Sequence, residues 1–88
     1  MSLFNKIILN EEQQSFLNDV VSILDNKNEI TMTYQDLEFV VDPHGDKIEV
    51  YSNGETLSYY SNALEFLFNH RIKEKTVIEL CSDIDYSI

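Results

Sequence analysis

Sixteen acidic and six basic side chains in 88 residues give this chain a formal net charge of −10 at pH 7. The length allows one domain, since single domains cluster near about 100 to 150 residues, and it leaves little room for a deep small-molecule pocket. Hydrophobic residues make up 43% and charged residues 25% of the chain, which excludes a disordered or low-complexity protein. We therefore expect a single compact domain over residues 1–88 that works through its surface.

Charge and cysteine content restrict the partners and the compartment. Direct binding of nucleic acid requires a basic face, and only Arg71, Lys73 and Lys75 form a basic turn in this acidic chain. The single cysteine, Cys81, cannot form an internal disulfide, which is typical of a reducing, cytoplasmic setting. No apolar run approaches the roughly 18 residues of a membrane span. The sequence predicts a cytoplasmic protein with a basic protein partner and no direct contact with nucleic acid or membrane.

The first part of the chain contains one predicted helix. The apolar positions within residues 3–8 fit a helical arm as well as an edge strand, so residues 1–9 are left open between the two. Asn10 followed by Gln13 predicts a capping box, and apolar side chains within residues 16–24 recur with a helical period. We expect this helix to end at the polar segment 25–28.

Four strands are predicted next, because apolar and polar side chains alternate along each of them. They are expected at residues 30–34, 37–42, 47–51 and about 55–59. Residues 42–46 contain Asp, Pro and Gly and predict a turn, and Asn53-Gly54 predicts a type I′ hairpin turn. The four strands should therefore form consecutive antiparallel hairpins.

Two more helices complete the predicted fold. Asn62 and Glu65 predict a capping box at the start of a helix that reaches about His70. Thr76 and Glu79 repeat the same spacing, and the apolar side chains within residues 77–84 follow a helical period. The prediction is an α+β fold of order α-β-β-β-β-α-α, in which an antiparallel four-stranded sheet carries its helices on one face.

The solvent-facing side of this sheet is the candidate binding surface. The alternation in the fourth strand predicts that Thr56, Ser58 and Tyr60 face that side. Tyrosine is common among interface anchors, and an acidic rim would steer a basic partner. The predicted anchors are Val40, Tyr51 and Tyr60, and the predicted steering charges are Glu38, Asp42, Glu49 and Glu55. The alternative is that the cross-strand tyrosines only stabilise the sheet.

The sequence contains no catalytic constellation. His44 in a turn and His70 at a helix end have no partner motif for acid–base or nucleophilic catalysis. Asp42, His44 and Asp46 carry oxygen and imidazole donors on one loop, but their spacing matches no known metal cage. Cys81 belongs to a stripe expected to be buried. We predict no enzymatic activity, no cofactor and no metal.

Size and charge together favour an inhibitor of a basic protein. Duplex DNA carries one negative charge per about 1.7 Å of axis, so carboxylates on a compact fold can compete for a cleft built for phosphates. The hypothesis is a DNA mimic directed at a nuclease or another nucleic-acid-handling protein, of the phage anti-defence or anti-CRISPR type. The alternatives are an immunity protein for a basic toxin, and a structural or regulatory homodimer that associates through this sheet face or an edge strand.

Overall fold

A computed structural model describes residues 8–88 of the chain. The elements, in chain order, are α1 (Glu11–Asp25), β1 (Ile30–Tyr34), β2 (Leu37–His44), β3 (Lys47–Ser52), β4 (Glu55–Tyr60), α2 (Ala63–Asn69), β5 (Arg71–Ile72), β6 (Lys75–Thr76), a 3₁₀ turn (Cys81–Asp83) and β7 (Ile84–Ser87). Residues 1–7, which hold most of the arm left open between helix and strand, lie outside the described residues.

The α+β class and the antiparallel sheet are confirmed, with one strand more than predicted. The sheet has five strands in the order β4-β3-β2-β1-β7, and β5 and β6 form a separate two-stranded hairpin. Both helices pack against one face of the five-stranded sheet, because a single core joins buried side chains of the helices to the inward side chains of the strands. This core includes Phe16, Val20, Phe66, Leu67, Ile30, Met32, Phe39, Val41 and Val50.

The predicted start of α1 is confirmed in detail. Asn10 Oδ1 accepts a hydrogen bond from the Gln13 N–H at 2.8 Å, and Gln13 Oε1 accepts one from the Asn10 N–H at 3.1 Å. The helix ends at Asp25, where the polar segment begins. Its buried residues recur every four positions and form one apolar stripe that packs against the sheet: Phe16, Val20 and Leu24.

The turn between β2 and β3 is shorter than predicted. Strand β2 continues through Pro43 to His44, and only Gly45 and Asp46 form the turn. Gly45 has a φ of +67°, which suits the first central position of a type II′ turn. Pro43 has no backbone N–H to donate. It is tolerated here because the pairing of β2 with β1 stops at Val41, so no backbone hydrogen bond to β1 is required at this position.

Two further local signals are confirmed. Asn53 and Gly54 both have positive φ, at 54° and 78°, as a type I′ turn requires. Asn62 Oδ1 accepts a hydrogen bond from the Glu65 N–H at 2.8 Å and begins α2, whereas the Glu65 carboxylate accepts from the Ser61 N–H instead of completing the predicted box with Asn62. The helix ends at Asn69, one residue before the predicted end.

The predicted third helix over residues 76–84 is wrong. Glu79 Oε1 does accept hydrogen bonds from the Thr76 N–H and hydroxyl, at 2.8 and 2.9 Å, and these bonds lower the pKa of Glu79. The chain then passes through turns and the 3₁₀ segment and enters β7, which pairs with β1. A helix would have left that edge of β1 without a partner in this part of the sheet.

The apolar residues of this segment are nevertheless buried, as their pattern implied: Val77, Ile78, Leu80, Cys81 and Ile84. The expected place of Cys81 in the core is therefore confirmed. Burial also raises the pKa of the Cys81 thiol, so the reactive thiolate is disfavoured.

His70 ends α2 as a buried aromatic rather than an exposed base. The residue is 8% exposed, and its ring stacks on Phe66 with ring centroids 5.6 Å apart. His70 Nδ1 shares a hydrogen bond of 2.9 Å with the Tyr60 hydroxyl. Burial lowers the pKa of His70 from its ordinary value of 6.5, so the folded protein holds a neutral imidazole here.

This burial predicts a pH-dependent stability. Just below pH 6.5 the unfolded chain binds a proton on His70 that the folded protein resists, so the free energy of unfolding should fall as the pH decreases from 7.5 to 5.5. Urea unfolding at several pH values measures this slope. The variant His70→Gln should flatten the slope, whereas His44→Gln, at an exposed position, should retain it. An unchanged slope in His70→Gln would assign the effect to other groups.

Candidate binding surface

The sheet face opposite the helices is called the outer face, and its centre is a row of side chains that crosses the sheet. Val40 lies between Thr31 and Tyr51 in the strand register. Tyr51 in turn lies beside Thr56, and Ser87 continues the row on β7. Val40 and Tyr51 are half-buried. Two predicted anchors are thus neighbours on the outer face.

An acidic group lies next to this row. Asp42 and Glu49 are direct cross-strand partners on β2 and β3, and both are half-buried. Partial burial raises the pKa of Asp42, the nearby carboxylates of Glu29 and Glu49 raise it further, and His44 opposes them. Glu29, Asp42 and Glu49 thus place three carboxylates close together beside the row.

Tyr51 links this row of side chains to the acidic group. Its hydroxyl donates a hydrogen bond to Glu29 Oε2 at 3.2 Å. Partial burial and the Glu29 carboxylate raise the pKa of Tyr51, so the hydroxyl remains a donor. The Tyr51 hydroxyl therefore lies beside the carboxylates on the outer face.

A second pair of carboxylates lies at the other end of the outer face. Thr33 on β1 pairs with Glu38 on β2 and with Asp85 on β7. Both acidic side chains are exposed. Glu38, Asp42 and Glu49 therefore occupy the outer face as predicted, and Asp85 adds to them.

A β-bulge changes the predicted register of β4. Val50 pairs with Ser58 and Tyr51 pairs with Thr56, so Leu57 is an extra residue on β4. The extra residue reverses the alternation that follows it. Thr56 lies on the outer face as predicted, but the outward placement of Ser58 is wrong.

The predicted placement of Tyr60 is wrong for the same reason. Tyr60 pairs with Ile48 on the inner side of the sheet, and its hydroxyl reaches His70. Tyr59 takes the outer position beside Glu49 and is 55% exposed. Tyr59 therefore replaces Tyr60 as the aromatic side chain of β4 that a partner could contact.

Glu55 is exposed but does not belong to the outer face. It pairs with Ser52 at the end of the β3–β4 hairpin, which is a register position of the inner side. A steering role for Glu55 would therefore act from the rim of the sheet rather than from the outer face.

Sequence reasoning missed three members of this surface, Glu29, Tyr59 and Asp85. Extending the alternation of β1 back by one residue would have placed Glu29 opposite Asp42. Asp85 was missed because β7 was not predicted, and Tyr59 was missed because no glycine marks the bulge.

The hairpin register also assembles a set of metal-ligating groups. Ligand atoms of Asp42, His44 and Glu49 all lie within 4.8 Å of one another. The third donor in the sequence-based set was Asp46 and not Glu49, but Asp46 lies in the turn between β2 and β3. Glu49 Oε2 accepts a hydrogen bond from the Thr56 hydroxyl at 2.5 Å, which orients its carboxylate.

The predicted basic turn forms the β5–β6 hairpin and borders a groove of about 610 Å³. The groove is lined by Tyr34, Gln35, Asp36, Leu37, Leu57, His70, Arg71, Ile72 and Lys73. Lys73 Nζ donates a hydrogen bond to Gln35 Oε1 at 3.0 Å, and Arg71 Nη1 donates one to the Glu74 carbonyl at 2.7 Å. Arg71 and Lys73 are thus each hydrogen-bonded within the protein.

Comparison with family models, curated proteins and solved structures finds no match for this chain. Within residues 8–88, no helix has the length and apolar character that crossing a membrane requires. Any function is therefore inferred from the geometry and charge of the outer face and of the groove at the β5–β6 hairpin.

Proposed function

We propose that this protein is a non-enzymatic inhibitor that covers the basic site of a nucleic-acid-handling protein with the outer face of its sheet. The observation that carries the proposal is the grouping of five carboxylates with Val40, Tyr51 and Tyr59 on one face. The carboxylates belong to Glu29, Glu38, Asp42, Glu49 and Asp85. A partner of phosphate-binding chemistry fits this surface better than an acidic or neutral one.

Strand geometry fixes the spacing of the negative charges on the outer face. Residues four apart on one strand, such as Glu38 and Asp42, lie about 13 Å apart, and adjacent strands lie about 4.8 Å apart. Glu38 and Asp42 are fixed on β2, and Glu49 faces Asp42 from β3. Carboxylates held on rigid strands present negative charge without the entropy loss of ordering a flexible tail.

The proposal places the protein in the cytoplasm, since Cys81 is its one cysteine and is buried as a thiol. A nuclease of a bacterial defence system, as in anti-CRISPR inhibition, is one partner of suitable chemistry. An immunity protein for a basic toxin would use the same surface, and the identity of the bound partner distinguishes the two.

A charge-reversal series tests the proposal. The outer-face variant carries Glu38→Lys, Asp42→Lys and Glu49→Lys, and the protein is used as bait in a lysate of its native host at low and high salt. We expect wild-type bait to retain a basic nucleic-acid-binding protein that high salt releases, and the outer-face variant to lose it. Added duplex DNA should compete with the wild-type protein for the purified partner.

The matched control carries Asp25→Lys, Asp36→Lys and Asp83→Lys. These exposed residues lie outside the outer face, and their reversal changes the net charge equally. The control should retain the partner. Equal loss in both variants, or binding that DNA does not affect, would contradict the proposal. Recovery of the protein alone, with a dimer in sedimentation, would favour the homodimer alternative.

A further inference from the structure

We infer that Asp42, His44 and Glu49 form a binding site for a divalent transition-metal ion, with zinc or manganese the best fit to the donor set. The three ligand atoms lie within 4.8 Å of one another. The inference concerns the protein alone and does not depend on the proposed partner.

The donor set suits ions of this class. One imidazole nitrogen and two carboxylate oxygens are ligands for zinc and manganese, and purely carboxylate sets favour magnesium or calcium instead. Ligand atoms of such ions lie about 2.0 to 2.2 Å from the metal, so the ligand atoms of a tetrahedral site are about 3.3 to 3.6 Å apart. Binding an ion would require the three side chains, whose ligand atoms lie within 4.8 Å of one another, to move closer together.

The backbone already positions the ligands. Asp42 and His44 are two residues apart on β2 and so lie on the same face, while Glu49 is the direct partner of Asp42 on β3. The short Gly45-Asp46 turn fixes this register. Ligands on paired strands need less ordering than ligands on a flexible loop.

Two features distinguish this cluster from the other acidic side chains of the surface. Glu49 Oε2 accepts a hydrogen bond from Thr56, which leaves its other oxygen for a metal, as outer-shell partners do in known sites. Glu29 adds negative charge near Asp42, so a cation would relieve repulsion among the carboxylates. Three protein ligands would leave coordination positions for water.

Calorimetric titration of the chelator-treated protein with zinc chloride at pH 7.5, repeated with manganese chloride, tests the inference. Wild type should bind one ion, and His44→Gln, Asp42→Asn and Glu49→Gln should each lose more than the 10- to 100-fold in affinity that an outer-shell change costs. Thr56→Val should lose about 10-fold.

Glu38→Gln is the matched control, since it removes one charge from the same face outside the cluster. It should keep wild-type affinity. Cobalt substitution provides a second readout, and a spectrum without a thiolate band would exclude Cys81 as a ligand. Equal affinity in wild type and His44→Gln, or an equal loss in Glu38→Gln, would overturn the site and leave only general attraction of cations to the acidic face.

Discussion

Phe66→Ala is expected to lower the free energy of unfolding by about 3 to 5 kcal/mol, because a buried aromatic ring leaves both lost contacts and a cavity. Phe66 is fully buried on α2 and stacks on His70. Its ring also meets the edge of Tyr60, with centroids 5.9 Å apart. The substitution therefore removes the centre of the aromatic cluster that joins α2 to β4.

Urea unfolding of wild type and variant measures this loss. An 88-residue domain is expected to hold about 5 to 12 kcal/mol in total, so the variant loses a large part of its stability. Leu64→Ala is the control, since Leu64 lies on the same helix and is 49% exposed. A loss in Phe66→Ala no larger than in Leu64→Ala would mean that α2 does not pack as described. If Phe66→Ala does not fold, Phe66→Leu provides a smaller, measurable loss.

Local signals in the sequence predicted most of the fold. The capping box needs only Asn10 and Gln13, and the type I′ turn needs only Asn53 and Gly54, so each signal lies within a few residues. The first four strands follow from their alternation for the same reason. The sheet placed Asp42 and Glu49 on one face because a short hairpin fixes their pairing.

Two errors arose where the conformation depends on distant residues. The bulge at Leu57 is a property of the β3–β4 pairing, and it moved Tyr60 from the outer face to the core. The segment 77–84 has the burial that its helical period implied, but periodicity over about two turns cannot distinguish a helix from turns that bury the same residues.

The candidate metal site also depends on a residue that is distant in sequence, which is why it was not predicted. The sequence pattern groups Asp42, His44 and Asp46, because these three donors are close together on one predicted loop. Glu49 comes instead from the neighbouring strand, at a position that only the hairpin register reveals. Cross-strand pairs therefore carry more information about a site on a sheet than the spacing within one loop.

Ile84→Ala tests the part of the fold that the sequence did not predict. Ile84 is buried, begins β7 and pairs with Tyr34 at the end of β1. Truncation of a buried isoleucine should lower the free energy of unfolding by about 2 to 5 kcal/mol. Ile88→Ala is the control and should have little effect, since Ile88 is 79% exposed.

Amide hydrogen exchange distinguishes a strand from the helix that the pattern predicted. In a paired strand at the edge of the sheet, only alternate amides face the neighbour and are protected, whereas in a helix successive amides are protected. We expect alternating protection over residues 84–87 in wild type, and a joint loss of protection in β7 and β1 in Ile84→Ala. Protection of successive amides over residues 84–87 in wild type would contradict the strand and the place of Asp85 on the outer face.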